Sequence, residues 1–163
     1  MALRTVGVIG LGSMGLGMAR NILDADIPVK GYDVFPGART ALTEASGQAS
    51  LTATDAATGV DVLLLMVVNA AQAEDVLFGG WNAAASMTKG ATVMLCSTVA
   101  PSEARALGER VIGLGLEFLD APVSGGKVGA EAGTLTLMCS GSEKAFDTAG
   151  PILKAISKTV HDL

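Results

Sequence analysis

Short apolar runs alternate with longer alanine-rich segments along the whole chain. The apolar runs predict strands over Thr5–Ile9, Val29–Tyr32, Val62–Val68, Thr92–Cys96, Glu117–Leu119 and Leu135–Cys139. The segments between them predict helices over Met14–Ala25, Gly37–Ala45, Ala70–Phe78, Ser102–Leu114 and Glu143–Ile156. Several strands are apolar at every position, as expected when helices cover both faces of a parallel sheet. The final segment, "KTVHDL", predicts the start of another strand.

Two predicted helices carry clear start signals. Pro101 stands where a helix begins, and Ser142 is placed to cap the last helix ahead of the acidic Glu143. The strand–helix alternation predicts right-handed βαβ crossovers. We therefore expect one α/β domain over residues 1–163, with a doubly wound, mostly parallel sheet and helices on both faces.

Composition supports a globular domain with an aliphatic core. Of 163 residues, 50% are hydrophobic and 4% aromatic, and the net charge is −5 without a Lys/Arg cluster. This balance argues against nucleic acid or an anionic membrane surface as a partner. The longest apolar run is far too short to span a bilayer, and the first residues lack a signal-peptide pattern, so we expect a cytoplasmic protein. Cys96 and Cys139 are expected to be buried thiols rather than a disulfide.

The first turn carries a nucleotide-binding pattern. Gly10, Gly12 and Gly15 form GxGxxG directly between a predicted strand and helix. The first glycine allows the tight turn, the second lets a pyrophosphate approach, and the third lets helix and strand pack closely. Asp33 follows Gly15 by eighteen residues, where a carboxylate binds ribose hydroxyls. The pattern predicts a Rossmann-like dinucleotide site; the alternative is a ligand-free turn in which Asp33 only caps a strand end.

The charges near Asp33 favour NAD over NADP. A carboxylate at this position repels a 2′-phosphate, and no arginine follows it immediately. Arg39 is the nearest cation, one turn into the next predicted helix, so NADP use stays open.

Three motifs in order resemble the β-hydroxyacid dehydrogenase family, which includes 3-hydroxyisobutyrate dehydrogenase. They are "GLGSMGLGMARN", "STVAP" at 97–101 and "DAPVSGGKVGAEAGTL" at 120–135. The resemblance covers essentially the whole chain. It implies hydride transfer between a small hydroxy acid and a nicotinamide cofactor, in a full-length protein that is a homo-oligomer. The segments "VVNAAQ" and "VLFG" are similar to the L-threonate dehydrogenase branch.

The resemblance also implies roles for particular residues. The pyrophosphate would lie against Gly10, Leu11, Gly12, Ser13, Met14 and Gly15, with Asp33 on the ribose. Further cofactor contacts would come from Val67, Val68, Asn69 and Thr98. The substrate carboxylate would bind to Ser124, Gly125 and Gly126, since successive backbone N–H groups and a hydroxyl make an anion-binding nest.

The sequence departs from the family pattern at two places and lacks one expected group. Many family members have Leu-Pro after the strand where this chain reads "MVVNAAQ", and an acid where it has Leu95 and Cys96. The family's catalytic lysine lies on a later helix, so we expect it beyond Leu163, within a C-terminal helical domain absent from this chain. No residue of the chain is expected to catalyse proton transfer, and the chain alone is expected to be inactive.

Other chemistries fit the sequence poorly. Lys127 follows two glycines, but Ala121 and Val128 stand where a P-loop needs glycine and Ser or Thr. His161, the single histidine, is expected on a strand surface, without metal-ligand spacing around it. Two non-enzymatic alternatives remain: a dinucleotide-sensing regulatory domain and a scaffold domain of the same fold.

Overall fold

The computed structural model describes residues 4–163, which form one mixed sheet flanked by helices. Its strands are β1 Val6–Ile9, β2 Val29–Tyr32, β3 Gln48–Ala49, β4 Val62–Leu65, β5 Thr92–Leu95, β6 Glu117–Asp120, β7 Val123–Ser124, β8 Leu135–Gly141 and β9 Ser157–Asp162. Its helices are α1 Ser13–Asp24, α2 Pro36–Glu44, α3 Ala53–Ala57, α4 Ala70–Phe78, α5 Pro101–Gly113, α6 Gly126–Ala132 and α7 Glu143–Ile156, with a 3-10 turn at Ala83–Ser86.

The strand order is β3-β2-β1-β4-β5-β6-β8-β7, and β9 pairs with β8. Strands β1 to β6 are parallel to one another. Strand β8 is antiparallel to both β6 and β7. The order runs outward in both directions from the adjacent pair β1 and β4, which confirms a doubly wound, mostly parallel Rossmann-like sheet.

Two hydrophobic cores lie on opposite faces of the sheet. One joins the sheet to α1, α2, α6 and α7, and the other joins it to α3, α4 and α5. Strand β4 shows how both are filled: Val62 and Leu64 belong to the first core, Leu63 and Leu65 to the second. All four side chains are fully buried, which explains why this strand is apolar at every position.

Most predicted elements are confirmed to within one or two residues, and β2, α4 and α7 match their predicted bounds. Both start signals are confirmed: Pro101 opens α5, and the Ser142 hydroxyl accepts a 3.0 Å hydrogen bond from the Ala145 N–H. The predicted strand over 62–68 is too long, because β4 ends at Leu65 and the chain then turns into α4. Strand β3, helix α3 and the 3-10 turn were missed, since elements this short show no periodicity.

The structure confirms the prediction that the two cysteines are buried thiols and not a disulfide. Cys96 and Cys139 are both buried and free. Burial raises the pKa of the Cys139 thiol to about 11, and burial likewise raises the pKa of Cys96 well above its ordinary value. His161 lies exposed on β9, as predicted. Among residues 4–163, no helix is long and apolar enough to cross a membrane.

Core packing at β4 generates a stability prediction. We expect Leu64→Ala to lower the free energy of unfolding by about 2–5 kcal/mol, because it removes a fully buried side chain between sheet and helices. Leu51→Ala, at a position 79% exposed, is the matched control and should change it by less than about 0.5 kcal/mol. Urea unfolding of the three proteins measures both, and equal losses would contradict the assignment of the core.

Candidate functional site

The predicted cofactor residues lie in the loops that follow the carboxyl ends of the parallel strands β1, β2, β4 and β5. Strands β1 and β4 are neighbours, but the chain continues from β1 towards β2 and from β4 towards β5, on opposite sides of the pair. The loops that follow these two strands therefore border a crevice. The two loops touch: a Cβ added at Gly10 would overlap the Met66 carbonyl. This is the position at which open α/β sheets bind ligands.

The structure explains the presence of glycine differently at each of the three positions in the first turn. Gly10 has φ +98°, a conformation that side chains disfavour. A Cβ on Gly15 would overlap the Gly10 carbonyl, so the start of α1 can approach β1 only with glycine there. Gly12 has an ordinary φ of −70°, and a Cβ there would meet no atom of residues 4–163 within 4 Å. The fold therefore accounts for Gly10 and Gly15, while Gly12 leaves space at the surface of the turn.

The other residues of this turn divide into exposed and buried positions. Ser13 is exposed at the first position of α1, and Met14 packs partly against the first core. The Leu11 side chain is only 2% exposed and lies in that core. Gly12 caps α1 without a side-chain hydrogen bond. Of the predicted cofactor residues, Leu11 thus offers the crevice no side chain.

Asp33, at the end of β2, is tied to the first turn. Its Oδ2 accepts a 2.8 Å hydrogen bond from the Leu11 N–H, and its Oδ1 accepts one of 2.9 Å from the Phe35 N–H. The bond from Phe35 caps the strand end, as the alternative expected, and the bond from Leu11 also anchors the first turn. A carboxylate has about four acceptor positions, however, so these two bonds leave capacity for ribose hydroxyls.

Arg39 lies beside the same strand end. Its Nη1 donates a 2.7 Å hydrogen bond to the Asp33 carbonyl oxygen. Its guanidinium carbon lies 5.8 Å from the centre of the Tyr32 ring. The cation expected one turn into α2 thus reaches back to the rim of the crevice.

The loop after β4 holds Val67, Val68 and Asn69. Val67 packs partly against the second core, whereas Val68 is 79% exposed. Asn69 caps α4 by accepting a 2.9 Å bond from the Gln72 N–H, and the Gln72 Oε1 accepts a 2.9 Å bond from the Val68 N–H. Sequence reasoning missed Gln72, although its position three residues after Asn69 is that of a capping-box partner.

The loop after β5 holds the predicted Thr98 and a neighbouring serine that was not predicted. Thr98 is exposed at the edge of the sheet. Ser97 is 1% exposed, and its hydroxyl has no partner among the residues that the structure describes. A buried hydroxyl left unpaired costs about 1–3 kcal/mol, so this one is unusual. No sequence signal separates Ser97 from an ordinary core serine.

The glycine-rich segment contains a short strand and a short helix joined by a tight turn. Val123–Ser124 forms β7 beside β8, and Gly126–Ala132 forms α6. The turn between them uses Gly125 at φ +129° and Gly126 at φ +61°, where side chains would be strained. Ser124, Gly125 and Gly126 are all exposed. Neither β7 nor α6 was predicted, because both are too short and α6 is too rich in glycine to show periodicity.

Asp120 ends β6 just before this segment. It is half-buried, and burial raises the pKa of its carboxyl group above the ordinary aspartate value. Strand β7 lies at the far edge of the sheet from the first turn. The connection between the two regions is the packing of α6 against α1, within the first core.

The rest of the described surface adds no metal site. Among residues 4–163, no three His, Cys, Asp or Glu side chains are grouped to hold a metal ion. A groove of about 480 Å³ between α5 and the junction of β6 with β8 contains none of the predicted site residues.

Comparison with known proteins agrees with this geometry. Residues 5–163 match the family model of the NAD-binding domain of 6-phosphogluconate dehydrogenase. An L-threonate dehydrogenase of Cupriavidus necator is 42% identical over 98% of this chain and 54% of its own length. An NAD-dependent L-serine dehydrogenase of Pseudomonas aeruginosa is 36% identical over 97% of this chain and 53% of its own. The chain thus spans about half the length of these relatives.

Solved structures give the same coverage. A 3-hydroxyisobutyrate dehydrogenase of Salmonella typhimurium superposes with a TM-score of 0.93 at 42% identity, over 98% of this chain and 55% of that one. A Mycobacterium tuberculosis 3-hydroxyisobutyrate dehydrogenase, solved with L-serine, has a TM-score of 0.94 at 27% identity, over 99% and 54%.

The open space at Gly12 and the close backbone packing at Gly15 lead to a prediction about NAD binding. We expect Gly12→Ala to weaken NAD binding about tenfold or more, since a Cβ would enter the space on the turn, while stability falls by less than about 1 kcal/mol. Gly15→Ala should lower both the NAD affinity and the stability, because its Cβ would overlap the Gly10 carbonyl oxygen. Calorimetric titration and thermal unfolding measure the two effects. Unchanged NAD affinity in Gly12→Ala would contradict this use of the turn.

The raised pKa of Asp120 generates a prediction about pH. When the pKa of a carboxyl group is higher in the folded than in the unfolded state, the free energy of unfolding of the protein falls as the pH rises between these two pKa values. We therefore expect Asp120→Asn to be more stable than the parent at neutral pH, and the difference to vanish below the ordinary pKa of aspartate. Urea unfolding over this pH range measures it; Asp147→Asn, where no such burial acts, is the control. A constant difference at all pH values would refute the assignment.

Proposed function

The chain belongs to the family of NAD-binding domains described for 6-phosphogluconate dehydrogenase, and from that premise we propose that it is the cofactor half of a dehydrogenase acting on a small hydroxy acid. The observation that carries the proposal is the space at Gly12, which no contact with the described part of the chain explains. A pyrophosphate resting there would meet the first N–H groups of α1 and the positive end of the helix dipole. A ligand-free turn needs no glycine at this position.

The residues around this space suit NAD. Gly12 and Ser13 would hold the pyrophosphate, and Asp33, oriented by its bonds to Leu11 and Phe35, would accept the ribose hydroxyls. The same carboxylate repels a 2′-phosphate, which favours NAD over NADP. Arg39 beside it is already bonded to the Asp33 carbonyl, so it would offset this repulsion only in part.

The substrate proposed is a small hydroxy acid with L-threonate as the first candidate. The support is the exposed turn at Ser124, Gly125 and Gly126, whose hydroxyl and backbone N–H groups would bind a carboxylate. The names of the similar proteins point the same way, since they act on L-threonate and L-serine. Thr98, exposed at the end of β5, would border the nicotinamide between the two loops.

Bound NAD would supply the acceptor for the hydride that leaves the carbon bearing the hydroxyl group. The residues of this chain would bind and orient: Asp33 fixes the ribose, and the Ser124 turn fixes the carboxylate. We propose that the lysine that accepts the hydroxyl proton lies outside residues 1–163, on a second, helical domain. We also propose a homo-oligomeric full-length protein in the cytoplasm, where free buried thiols such as Cys96 and Cys139 are usual.

The test measures cofactor and carboxylate binding separately on this chain. We expect calorimetry to give tighter binding of NAD than of NADP. With NAD saturating, L-threonate should then shift the backbone amide signals of Ser124, Gly125 and Gly126 in NMR spectra, because its carboxylate takes their N–H groups.

The uncharged lactone of L-threonate is the ligand control, and Ser124→Ala is the protein control. The lactone should leave the three amide signals in place, and Ser124→Ala should weaken the effect of L-threonate without changing NAD affinity. Equal shifts from acid and lactone would refute the carboxylate site, and NADP binding more tightly than NAD would refute the role of Asp33.

A further inference from the structure

Helices α1 and α6 form the direct contact between the two proposed binding regions. Helix α1 begins at the first turn, and α6 begins at the Ser124–Gly126 turn. They approach at Gly17, where a Cβ would lie 3.0 Å from the Ala130 carbonyl carbon and 3.0 Å from the Glu131 nitrogen. The backbones of the two helices therefore meet without a side chain between them.

One turn after Gly17, Asn21 binds the end of α6. Its Nδ2 donates to the carbonyl oxygens of Ala130 at 2.7 Å and Glu131 at 3.0 Å, and also to that of Gly17 at 3.0 Å. The last four carbonyl groups of a helix have no partner within it. Asn21 therefore supplies from α1 the hydrogen bonds that the end of α6 lacks.

The amide group is also enclosed on its other side. Gly133, with φ +69°, ends α6, and a Cβ there would lie 3.0 Å from the Asn21 Oδ1 and 3.0 Å from the Ala155 carbonyl oxygen. The Thr134 N–H returns to the Gly129 carbonyl at 3.0 Å. Asn21 thus fits between the two helix backbones with its donor and acceptor ends both in contact.

The elements that hold the Ser124 turn are weak by themselves. Strand β7 has two residues and α6 has seven. A helix of this length is not stable alone in water, so its position depends on its packing against the rest of the fold. Asn21 provides a hydrogen-bonded part of that packing.

We propose that Asn21 is a positioning residue that couples the first turn to the Ser124–Gly126 turn, so that cofactor bound at the start of α1 orders the site for the substrate carboxylate. This coupling rests on the function proposed above. It requires no contact between Asn21 and either ligand, because α1 carries the effect from one end to the other. A purely structural Asn21 would affect stability but not the response of the second turn to NAD.

Amide hydrogen exchange on this chain, with and without NAD, separates these roles. Asn21→Asp keeps the size of the side chain but replaces the donor with a carboxylate that repels the two carbonyl groups. We expect exchange in residues 124–134 to rise about tenfold without NAD, the equivalent of losing two hydrogen bonds. In the parent protein NAD should slow exchange in residues 10–16 and in 124–134; in Asn21→Asp it should slow only the former.

Val111→Ala is the matched control, since it removes buried volume from α5 on the opposite face of the sheet. It should lower overall stability and leave the NAD effect on residues 124–134 unchanged. Asn21→Ala, which removes the donor without adding a charge, serves if Asn21→Asp does not fold.

Each outcome bears on a different claim. NAD slowing residues 124–134 equally in the parent and the Asn21 variants would overturn the coupling. Faster exchange in every segment of the Asn21 variants alike would overturn the positioning role. If NAD leaves residues 10–16 of the parent unchanged, the proposed function and the coupling both fail, whereas the hold of Asn21 on α6 is judged by exchange without NAD.

Discussion

The close backbone packing at the first turn is the constraint on which the rest of the site depends. Without side chains at Gly10 and Gly15, β1 can lie against the end of β4 while α1 starts immediately above it. This contact opens the crevice between two loops that lead in opposite directions, and it points the start of α1 into that crevice. Any Cβ at either position would overlap a carbonyl oxygen, so the geometry of the crevice and the identity of these residues determine one another.

Side chains that bind the main chain hold the remaining parts around this turn. Asp33 accepts from Leu11 at the turn itself, Gln72 accepts from Val68 in the next loop, and Asn21 donates to the end of α6. Each bond fixes a segment that lies outside the hydrogen-bonded sheet and whose backbone groups would otherwise bind water. Hydrogen bonds at the rim of the site thus add to the two hydrophobic cores beneath it, of which Leu11 in the first turn is a part.

The features that could be predicted from the sequence are those encoded within a few neighbouring residues. The spacing of Gly10, Gly12 and Gly15 and the apolar run of β4 predict the first turn and a central strand, and both are confirmed. The bonds of Asn21 could not be predicted, because its partner Ala130 lies 109 residues away. The end of β4 was placed too late because Met66, Val67 and Val68 continue the apolar pattern, although pairing with β1 and β5 stops at Leu65.

The division of stability between the two turns suits an ordered sequence of binding. The first turn is held by fully buried strands, and Leu11 within it is itself part of the core. The Ser124 turn instead follows a two-residue strand and precedes a seven-residue helix. Segments with few buried contacts open most easily, and ligand-binding loops are commonly of this kind. Under the proposed function, the first turn would give the larger cofactor a rigid site, the Ser124 turn would give the substrate a more easily opened one, and the α1–α6 contact would be the route by which the first orders the second.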